Sequence, residues 1–202
     1  MFLHFERKHW SQFPLIAGID EAGRGAWAGP VVAAAVIFKK DVVIAGVDDS
    51  KKLSPQKREE LFGQITKQCL SYGIGIIGSN VIDGINILEA TKKAMLLAVA
   101  QLLPQPNLLL IDGNSEIETA IPQKTIIDGD ALSHSIAAAS IIAKVTRDRL
   151  MVEFARQFPE YGFEKHKGYG TRAHQEALKR HGVLEIHRKS YRPVAEIEGV
   201  RD

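Results

Sequence analysis

Residues 30–38, PVVAAAVIF, restrict the possible folds more than any other part of the sequence. The segment is almost continuous in small apolar and β-branched residues, which favours a short strand. It lacks the alternation of apolar and polar residues that marks a strand with one face in water, so both faces of this strand are predicted to be covered. A strand covered on both faces belongs to a sheet that lies between layers of helices. The chain is therefore predicted to be an α/β protein.

Four further strands and four helices are predicted around this segment. The predicted strands are residues 15–20, 72–79, 107–112 and 124–128. A first helix covers residues 54–70, with Ser54 as its N-cap and Pro55 at its first position. Another carries one apolar face and ends before two prolines; that face comprises Ile85, Leu88, Met95, Val99 and Leu102. The last two cover residues 133–158 and 171–180.

The order of these elements predicts how the strands pair. The first two strands are joined by a tight turn, which indicates an antiparallel pair, and strands reached through a helix indicate parallel pairing. The prediction is a mixed five-stranded sheet flanked by helices, followed by a small, basic C-terminal helical region at about residues 160–202.

Length and composition limit the class of protein. A chain of 202 residues with 45% hydrophobic residues fits one domain, residues 1–202, and buries roughly 70% of the surface that the unfolded chain exposes. The sequence lacks an apolar stretch long enough to cross a bilayer, and its first ten residues lack the apolar centre of a signal peptide. The single Cys69 excludes an intramolecular disulfide and a Cys-based zinc cluster. We expect a cytoplasmic, monomeric protein without a membrane partner.

The net charge of +2 does not by itself indicate a nucleic-acid-binding protein. Residues 165–192 differ from the rest, because eight Lys or Arg residues there face only Glu176 and Glu185, a surplus of +6. A segment of this sign suits a phosphate backbone. On charge alone, a solvated helix face explains it equally well.

Four acidic residues lie where predicted strands end. Asp20 and Glu21 close the first strand, Asp112 closes the fourth, and Asp130 follows the fifth. In open α/β sheets, ligands bind in the crevice at strand ends, so these acids predict a site. Any one of them is also a common turn residue, because Asp beside Gly is frequent in turns. Asp20 and Glu21 share a site only if the chain bends there, since adjacent strand residues point to opposite faces.

A cluster of carboxylates indicates metal chemistry. Two carboxylates about 4 Å apart repel each other by roughly 4 kcal/mol at an effective dielectric constant of 20. Mg²⁺ and Mn²⁺ relieve this repulsion, because they prefer carboxylate oxygens and water as ligands. Two such ions roughly 3.5–4 Å apart activate a water and stabilise the leaving oxygen when a phosphodiester is cleaved. We therefore expect Mg²⁺ or Mn²⁺ as the cofactor.

Three loops carry candidate substrate-binding residues. Gly23-Arg24-Gly25 allows a ligand to approach the backbone closely, although such a segment is more often a simple turn. Lys51 precedes the N-terminus of a predicted helix, where anions bind, but alone it is an ordinary surface charge. Tyr169, in a basic glycine-containing loop, either stacks on a base or sugar or packs beneath the C-terminal region.

Taken together, these segments resemble the ribonuclease HII family. The resemblance covers most of residues 15–193 in the right order and is specific as a combination. It rests on GIDEAGRG (18–25), AGPVV (28–32), DSKKLS (49–54), DG (112–113), GD (129–130), SIAAASIIAKVTRD (135–148), KGYGT (167–171) and HRKSY (187–191). The family usually has Pro-Leu where this chain has Ala26-Trp27, and Phe where it has Tyr191.

The resemblance implies a ribonuclease H-like fold and an endonuclease that cuts 5′ to a ribonucleotide, leaving a 3′-hydroxyl and a 5′-phosphate. Its substrates would be RNA–DNA hybrids and duplex DNA that contains single ribonucleotides. It assigns the metal-binding catalytic role to Asp20, Glu21, Asp112 and Asp130. It also implies that Gly23, Arg24 and Gly25 recognise the ribose 2′-hydroxyl, that Tyr169 packs on the next deoxyribose, and that Lys51 and Ser190 contact the backbone.

Three alternatives stay open at this stage. Another metal-dependent nuclease of the same fold, such as a junction resolvase, also uses acids at strand ends but has no need to sense ribose. A non-catalytic hybrid-binding module tolerates loss of Asp112. A small-molecule metalloenzyme leaves the basic segment without a purpose.

Overall fold

The structure, a computed structural model, describes residues 3–199. Within them five strands form one sheet: β1 (Ile16–Ala22), β2 (Val31–Ile37), β3 (Ser71–Ile77), β4 (Leu108–Asp112) and β5 (Gln123–Ile126). They lie in the order β3-β2-β1-β4-β5. The β1–β2 and β2–β3 pairs are antiparallel, whereas the β1–β4 and β4–β5 pairs are parallel. The predicted mixed five-stranded sheet is confirmed, but the prediction that a connecting helix goes with parallel pairing was wrong at two places. The strands β2 and β3 are joined through the segment at residues 55–68, which is helical, yet they are antiparallel, and β4 and β5 are joined without a helix yet are parallel.

The helices that the structure describes are α1 (His4–His9), α2 (Pro55–Gln68), α3 (Ser79–Ala100), α4 (Gly129–Leu132), α5 (His134–Gln157), α6 (Phe163–His166), α7 (Arg172–His181) and α8 (Arg192–Glu198). Ser54 caps α2 as predicted, because its side chain accepts a hydrogen bond from Lys57 N. The helix α3 begins earlier than its apolar pattern indicated, and Asn86 at φ 68° divides it into two segments. The C-terminal helical region is confirmed up to residue 199; residues 200–202 lie outside the described part.

Helices cover both faces of the interior strand β2, as the sequence of residues 30–38 predicted. Every residue of β2 is fully buried. Ala33 and Ala35 belong to the core that includes Ala94 and Ala98 of α3. Ala34 and Val36 belong to the core on the opposite side, with α2 and α5. Of the helices in residues 3–199, none has the length and apolar character needed to span a membrane.

The helix α5 lies very close to β1, and a glycine makes this approach possible. A methyl group at Gly18 would lie 2.1 Å from the backbone carbonyl carbon of Ser135 and 2.3 Å from Ile136 N. Any side chain at Gly18 would push helix and strand apart. The close contact lies two residues before Asp20 and a few residues after Asp130.

A buried carboxylate of α1 holds the start of α5 in place. Glu6 Oε1 accepts hydrogen bonds from Ser133 Oγ at 2.7 Å, from Ser135 N at 3.0 Å and from Ser135 Oγ at 2.8 Å. A carboxylate at a helix N-terminus is stabilised by unpaired backbone N–H groups and by the helix dipole. No pattern in the sequence indicated this contact, which links the N-terminal helix to the element beside the predicted site.

Candidate active site

The four predicted acids come from three elements that converge at one edge of the sheet. Asp20 and Glu21 lie in β1, Asp112 is the last residue of β4, and Asp130 is in α4. The strands β1 and β4 are parallel neighbours, so their C-terminal ends meet. Asp20 and Asp130 are only 5% and 6% exposed. We call these four residues the acid cluster.

Asp20 and Glu21 are both close to Asp112, although β1 keeps its regular pairing with β2 at both residues. The strand β1 continues to Ala22 and pairs with β2 residue for residue through both acids, so the prediction that they close the strand was wrong. The bend that was named as a condition for a shared site does not interrupt this pairing. The pairing of β1 with β4 ends at Ile19 and Ile111, and both acids therefore lie beyond the last paired residue on that side. Asp20 Oδ1 accepts a 2.6 Å hydrogen bond from Glu21 N.

The carboxylates are close enough to alter one another's protonation. Burial raises the pKa of Asp20 well above its usual range, and the negative charges of Glu21 and Asp112 raise it further. Burial likewise raises the pKa of Glu21. For Asp130, burial and the nearby Asp49 carboxylate raise the pKa. Each shift shows that negative charge is disfavoured here unless a cation compensates it.

Two cationic side chains lie against the acid cluster. Arg24 Nη1 is 3.2 Å from Glu21 Oε1, and Lys51 Nζ is 3.5 Å from Asp130 Oδ2. Partial burial alone would lower the pKa of Lys51, but the carboxylates, that of Asp130 first, raise it. The Lys51 side chain is 80% exposed, so its ammonium group is open to a phosphate. Contact of Lys51 with substrate stays a prediction.

The donor set of the acid cluster fits a hard divalent cation in its chemistry. It consists of carboxylate oxygens, and the raised pKa values of Asp20, Glu21 and Asp130 indicate negative charge that Arg24 and Lys51 do not neutralise. As the side chains stand, the described residues contain no group of three or more His, Cys, Asp or Glu arranged to hold a metal ion.

Backbone N–H groups already donate hydrogen bonds to two carboxylates of the acid cluster. Asp112 Oδ1 accepts a 2.8 Å hydrogen bond from Gly129 N, and Asp20 Oδ1 is bonded to Glu21 N. These bonds engage one oxygen of each of the two carboxylates. The metal site stays a prediction.

The loop of residues 23–29, here called the glycine loop, passes beside the acid cluster. Gly23 has a φ of +97°, and a methyl group there would lie 1.9 Å from Arg147 Nε, so the protein itself requires glycine at this position. A methyl group at Gly25 would meet no atom within 4 Å. The backbone at Gly25 is thus open to an approaching ligand, whereas Gly23 faces the interior.

Two fully buried arginines hold the glycine loop. Arg147 donates to the carbonyl oxygens of Ala28, Pro30 and Lys167 at 2.9–3.0 Å. Arg188 donates to Gly29 O at 3.0 and 3.1 Å and to Arg24 O at 2.7 Å. These bonds connect the glycine loop with the loop that carries Tyr169 and with the segment after α7.

Sequence reasoning did not identify these two arginines as positioning residues. One signal was available for Arg147. It lies at four-residue spacing from Ala143 and Met151 on the buried face of α5, which continues to Ala155. Arg188 belongs to the basic segment of residues 165–192 that was considered for phosphate contact, yet it is fully buried and is not available to a phosphate.

Tyr169 is partly exposed, at 36%. The Arg147 guanidinium is 5.3 Å and Lys144 Nζ is 5.9 Å from its ring centroid, so positive charge faces the π-system. The Tyr169 backbone pairs with Ala26 of the glycine loop. The structure therefore brings Tyr169 together with the glycine loop, and leaves part of the ring surface available to a ligand.

The two departures from the family pattern occupy defined positions. The Trp27 ring packs so closely on Gly170 that a methyl group there would lie 2.2 Å from it, and it also contacts His174 with 5.7 Å between ring centroids. Trp27 therefore fills space beneath the Tyr169 loop. The Tyr191 hydroxyl donates to Arg24 O at 2.6 Å, which gives the glycine loop a bond that phenylalanine lacks.

Ser190 is held by an acid that sequence reasoning did not select. Its hydroxyl donates to Asp83 Oδ1 at 2.6 Å, and its backbone N–H donates to the same oxygen at 3.0 Å. Lys189 N donates to Asp83 Oδ2 at 2.9 Å. Because the Ser190 proton is already used, a phosphate contact there requires the hydroxyl to turn away from Asp83. The predicted backbone contact of Ser190 stays a prediction.

Comparison with known proteins agrees with this arrangement. The sequence model of the family described as Ribonuclease HII matches residues 17–194. A ribonuclease HII of Bacillus thuringiensis (strain Al Hakam) is 57% identical over 182 residues, which cover 90% of this chain and 70% of that protein. One of Geobacillus thermodenitrificans (strain NG80-2) is 57% identical over 186 residues, covering 92% and 71%.

Solved structures resemble this fold as well. The ribonuclease H2 of Pyrococcus horikoshii OT3 is similar, with a TM-score of 0.78 and 27% identity over 92% of this chain and 98% of that one. A Bst-RNase HIII in complex with Mn²⁺ shares the fold at a TM-score of 0.75 and 18% identity, over 92% of this chain and 70% of that one. With the family match spanning nearly the whole chain, this protein belongs to the ribonuclease HII family.

Proposed function

We propose that this ribonuclease hydrolyses the RNA strand of RNA–DNA hybrids and also cuts 5′ to single ribonucleotides embedded in duplex DNA. The observation that carries the proposal is the convergence of four carboxylates from β1, β4 and α4 beside an open glycine loop, in a chain of the ribonuclease HII family. Water attacks the phosphorus, and the bond to the 3′-oxygen of the preceding nucleotide breaks. The products carry a 3′-hydroxyl and a 5′-phosphate.

Asp20, Glu21, Asp112 and Asp130 would hold Mn²⁺ or Mg²⁺. A bound divalent cation would lower the pKa of water and neutralise charge on the phosphate. In support, burial and neighbouring charge disfavour uncompensated carboxylates here. The Lys51 ammonium, beside Asp130 and exposed, would bind a phosphate of the cleaved strand.

The glycine loop would recognise ribose. The 2′-hydroxyl, a donor and an acceptor, is what distinguishes RNA from DNA at a given position. Backbone groups of residues 23–25 are suited to it, because no Cβ blocks the approach at Gly25 and because Arg188 and Tyr191 fix Arg24 O. In this scheme the 2′-hydroxyl is a recognition element and not the nucleophile.

Tyr169 would pack on the deoxyribose that follows the ribonucleotide. Its ring is partly exposed and its backbone is paired with the glycine loop, so the two would contact adjacent nucleotides. The basic surface of residues 165–192 would attract the phosphate backbone. The protein would act in the cytoplasm as a monomer with one catalytic domain.

One assay tests the proposal. Three duplexes are compared: all DNA, DNA with one ribonucleotide, and a full RNA–DNA hybrid, each with Mg²⁺, Mn²⁺ or a chelator. The expected result is metal-dependent cleavage of the second and third only, with a 5′-phosphate on the product. A branched all-DNA junction is added as a fourth substrate, and its cleavage would instead favour a resolvase. Binding is followed by fluorescence anisotropy, and metal-independent binding without cleavage would favour a non-catalytic module.

A further inference from the structure

Three imidazoles lie beneath the Tyr169 loop and are not explained by the chemistry above. His174 and His187 are fully buried. The rings of His166 and His174 are stacked, with 4.5 Å between centroids and 13° between planes. His174 Nε2 and His187 Nε2 are 3.0 Å apart. None of the three touches the acid cluster in the contacts that the structure describes, so their purpose lies elsewhere.

Backbone groups determine the directions of these hydrogen bonds, because a backbone N–H can only donate and a backbone carbonyl can only accept. Leu184 N donates to His187 Nδ1 at 2.9 Å, so His187 carries its proton on Nε2. That proton is donated to His174 Nε2. His174 then carries its own proton on Nδ1 and donates it to the carbonyl oxygen of Tyr169 at 3.0 Å. The three bonds form a one-way relay from Leu184 to Tyr169.

The third imidazole supports the same loop. Gly168 N donates to His166 Nδ1 at 3.2 Å, so His166 Nε2 carries the proton and donates to Tyr161 O at 2.8 Å. Gly168 O in turn accepts from Trp27 N and Ala28 N of the glycine loop. Lys167 has a φ of 51°, a conformation that costs energy for a residue other than glycine and needs support from its surroundings. His166 and His174 provide that support through their hydrogen bonds with Gly168 N and Tyr169 O.

The relay operates only with neutral rings. A second proton on His174 or His187 would set two N–H groups against each other at the 3.0 Å contact, or against Leu184 N–H. Burial, and then the neighbouring imidazole in the case of His187, lower the pKa of His174 to about 4 and of His187 to about 3. Both rings are therefore neutral at physiological pH.

We propose that His174 and His187 are positioning residues: their relay fixes the Tyr169 carbonyl and so directs the Tyr169 ring toward the nucleotide after the ribonucleotide. This inference rests on the function proposed for Tyr169. It predicts that breaking the relay lowers cleavage at an RNA–DNA junction more than cleavage within a continuous hybrid, because only the junction presents a deoxyribose to Tyr169.

The test compares two substitutions at one residue. His174→Leu removes the imidazole bond to Tyr169 O and leaves Thr171 N, at 2.8 Å, as the remaining donor to that oxygen. His174→Asn retains an N–H donor near the position of Nδ1. The measurement is the ratio of kcat/KM on a duplex with one ribonucleotide to kcat/KM on a full hybrid. We expect His174→Leu to lower this ratio about five- to tenfold, and His174→Asn to restore most of it. The matched control is His181→Leu, an exposed imidazole on the same helix.

A double substitution separates positioning from a general structural effect. If His174 acts through Tyr169, adding His174→Leu to Tyr169→Ala leaves the ratio of the Tyr169→Ala variant unchanged. A further drop in the ratio overturns the inference, as does an equal loss on both substrates with His174→Leu. If Tyr169→Ala itself leaves the ratio unchanged, the function proposed for Tyr169 fails, and with it the positioning role.

A spectroscopic measurement on the unaltered protein tests the relay without relying on activity or on the folding of a variant. Ring ¹⁵N–¹H correlation spectra at pH 7 should show His174 protonated on Nδ1 only and His187 on Nε2 only. Any other tautomer, or a doubly protonated ring, overturns the relay.

Discussion

Replacing Gly18 by alanine tests the close packing of β1 against α5. The added methyl group would lie 2.1 and 2.3 Å from backbone atoms of Ser135 and Ile136, where ordinary contacts begin at 3.4 Å. Helix and strand must therefore separate by about 1 Å, since backbone atoms cannot rotate away. Overpacking of a core costs typically 1–3 kcal/mol, and we expect about 3 kcal/mol here because both contacts are to backbone.

A matched alanine substitution has the opposite sign. Gly63 lies within α2, and a methyl group there would meet no atom within 4 Å. Gly63→Ala is expected to raise the free energy of unfolding by about 1 kcal/mol through helix propensity alone. For a chain of this size, Gly18→Ala should lower the Tm by roughly 6–12 °C, and Gly63→Ala should raise it by roughly 2–4 °C.

Urea unfolding followed by circular dichroism measures both changes. Gly18→Ala should also lower cleavage more than its unfolded fraction explains, because the strand displaced from α5 carries Asp20. A Gly18→Ala variant within about 0.5 kcal/mol of the unaltered protein would refute the packing argument.

Three further outcomes are expected. Gly25→Ala should leave the free energy of unfolding within about 0.5 kcal/mol while lowering cleavage at ribonucleotides, since the methyl group meets only open space; unchanged cleavage would exclude contact between this loop and substrate. Lys51→Met should raise KM and reduce the salt dependence of binding by about one phosphate contact, measured by anisotropy against salt concentration; an unchanged slope would count against that contact. Folding lowers the pKa of His187 to about 3, so its contribution to stability is lost as pH falls below about 6.5. Between pH 7 and 5, His187→Leu should therefore lose about 2 kcal/mol less stability than the unaltered protein; equal losses would contradict the burial argument.

Sequence pattern predicted the sheet because the physical causes of strands are local. The uninterrupted apolar character of residues 30–38 reflects burial on both faces, and β2 is fully buried. The start of α2 was predictable as well, since Ser54 and Pro55 determine a helix N-terminus without help from distant residues. Asp112 and Asp130 were found in the same way, because a polar residue after an apolar strand marks the end of that strand.

Contacts between distant segments were not predictable from such patterns. Arg188 resembles a surface charge in sequence, yet it is fully buried because carbonyl groups of the glycine loop and the Tyr191 hydroxyl accept its hydrogen bonds. Glu6 looks like an exposed residue of a polar helix, yet it caps α5 from more than 120 residues away. Asp83 binds the turn at Ser190 across a similar distance in the chain. Each depends on tertiary structure that brings unrelated segments together.

The condition that the chain must bend for Asp20 and Glu21 to share a site illustrates a different limit. The rule that adjacent strand residues point to opposite faces is correct, and β1 obeys its register through both acids. The rule did not account for the unequal lengths of neighbouring strands. Because β4 stops before β1 does, the end of β1 is unpaired on that side, and Asp20 and Glu21 are both close to Asp112.

The most direct test of the proposed function is single-turnover cleavage of a duplex with one ribonucleotide by Asp20→Asn. Asp41→Asn is the control, because that carboxylate is exposed and pairs with Arg7 outside the acid cluster. Binding is measured in parallel by fluorescence anisotropy. Asp20→Asn should lose cleavage by about a thousandfold or more while its Kd changes little, and Asp41→Asn should match the unaltered protein. Cleavage by Asp20→Asn at a rate near that of the unaltered protein in Mg²⁺ would show that the acid cluster does not perform the reaction.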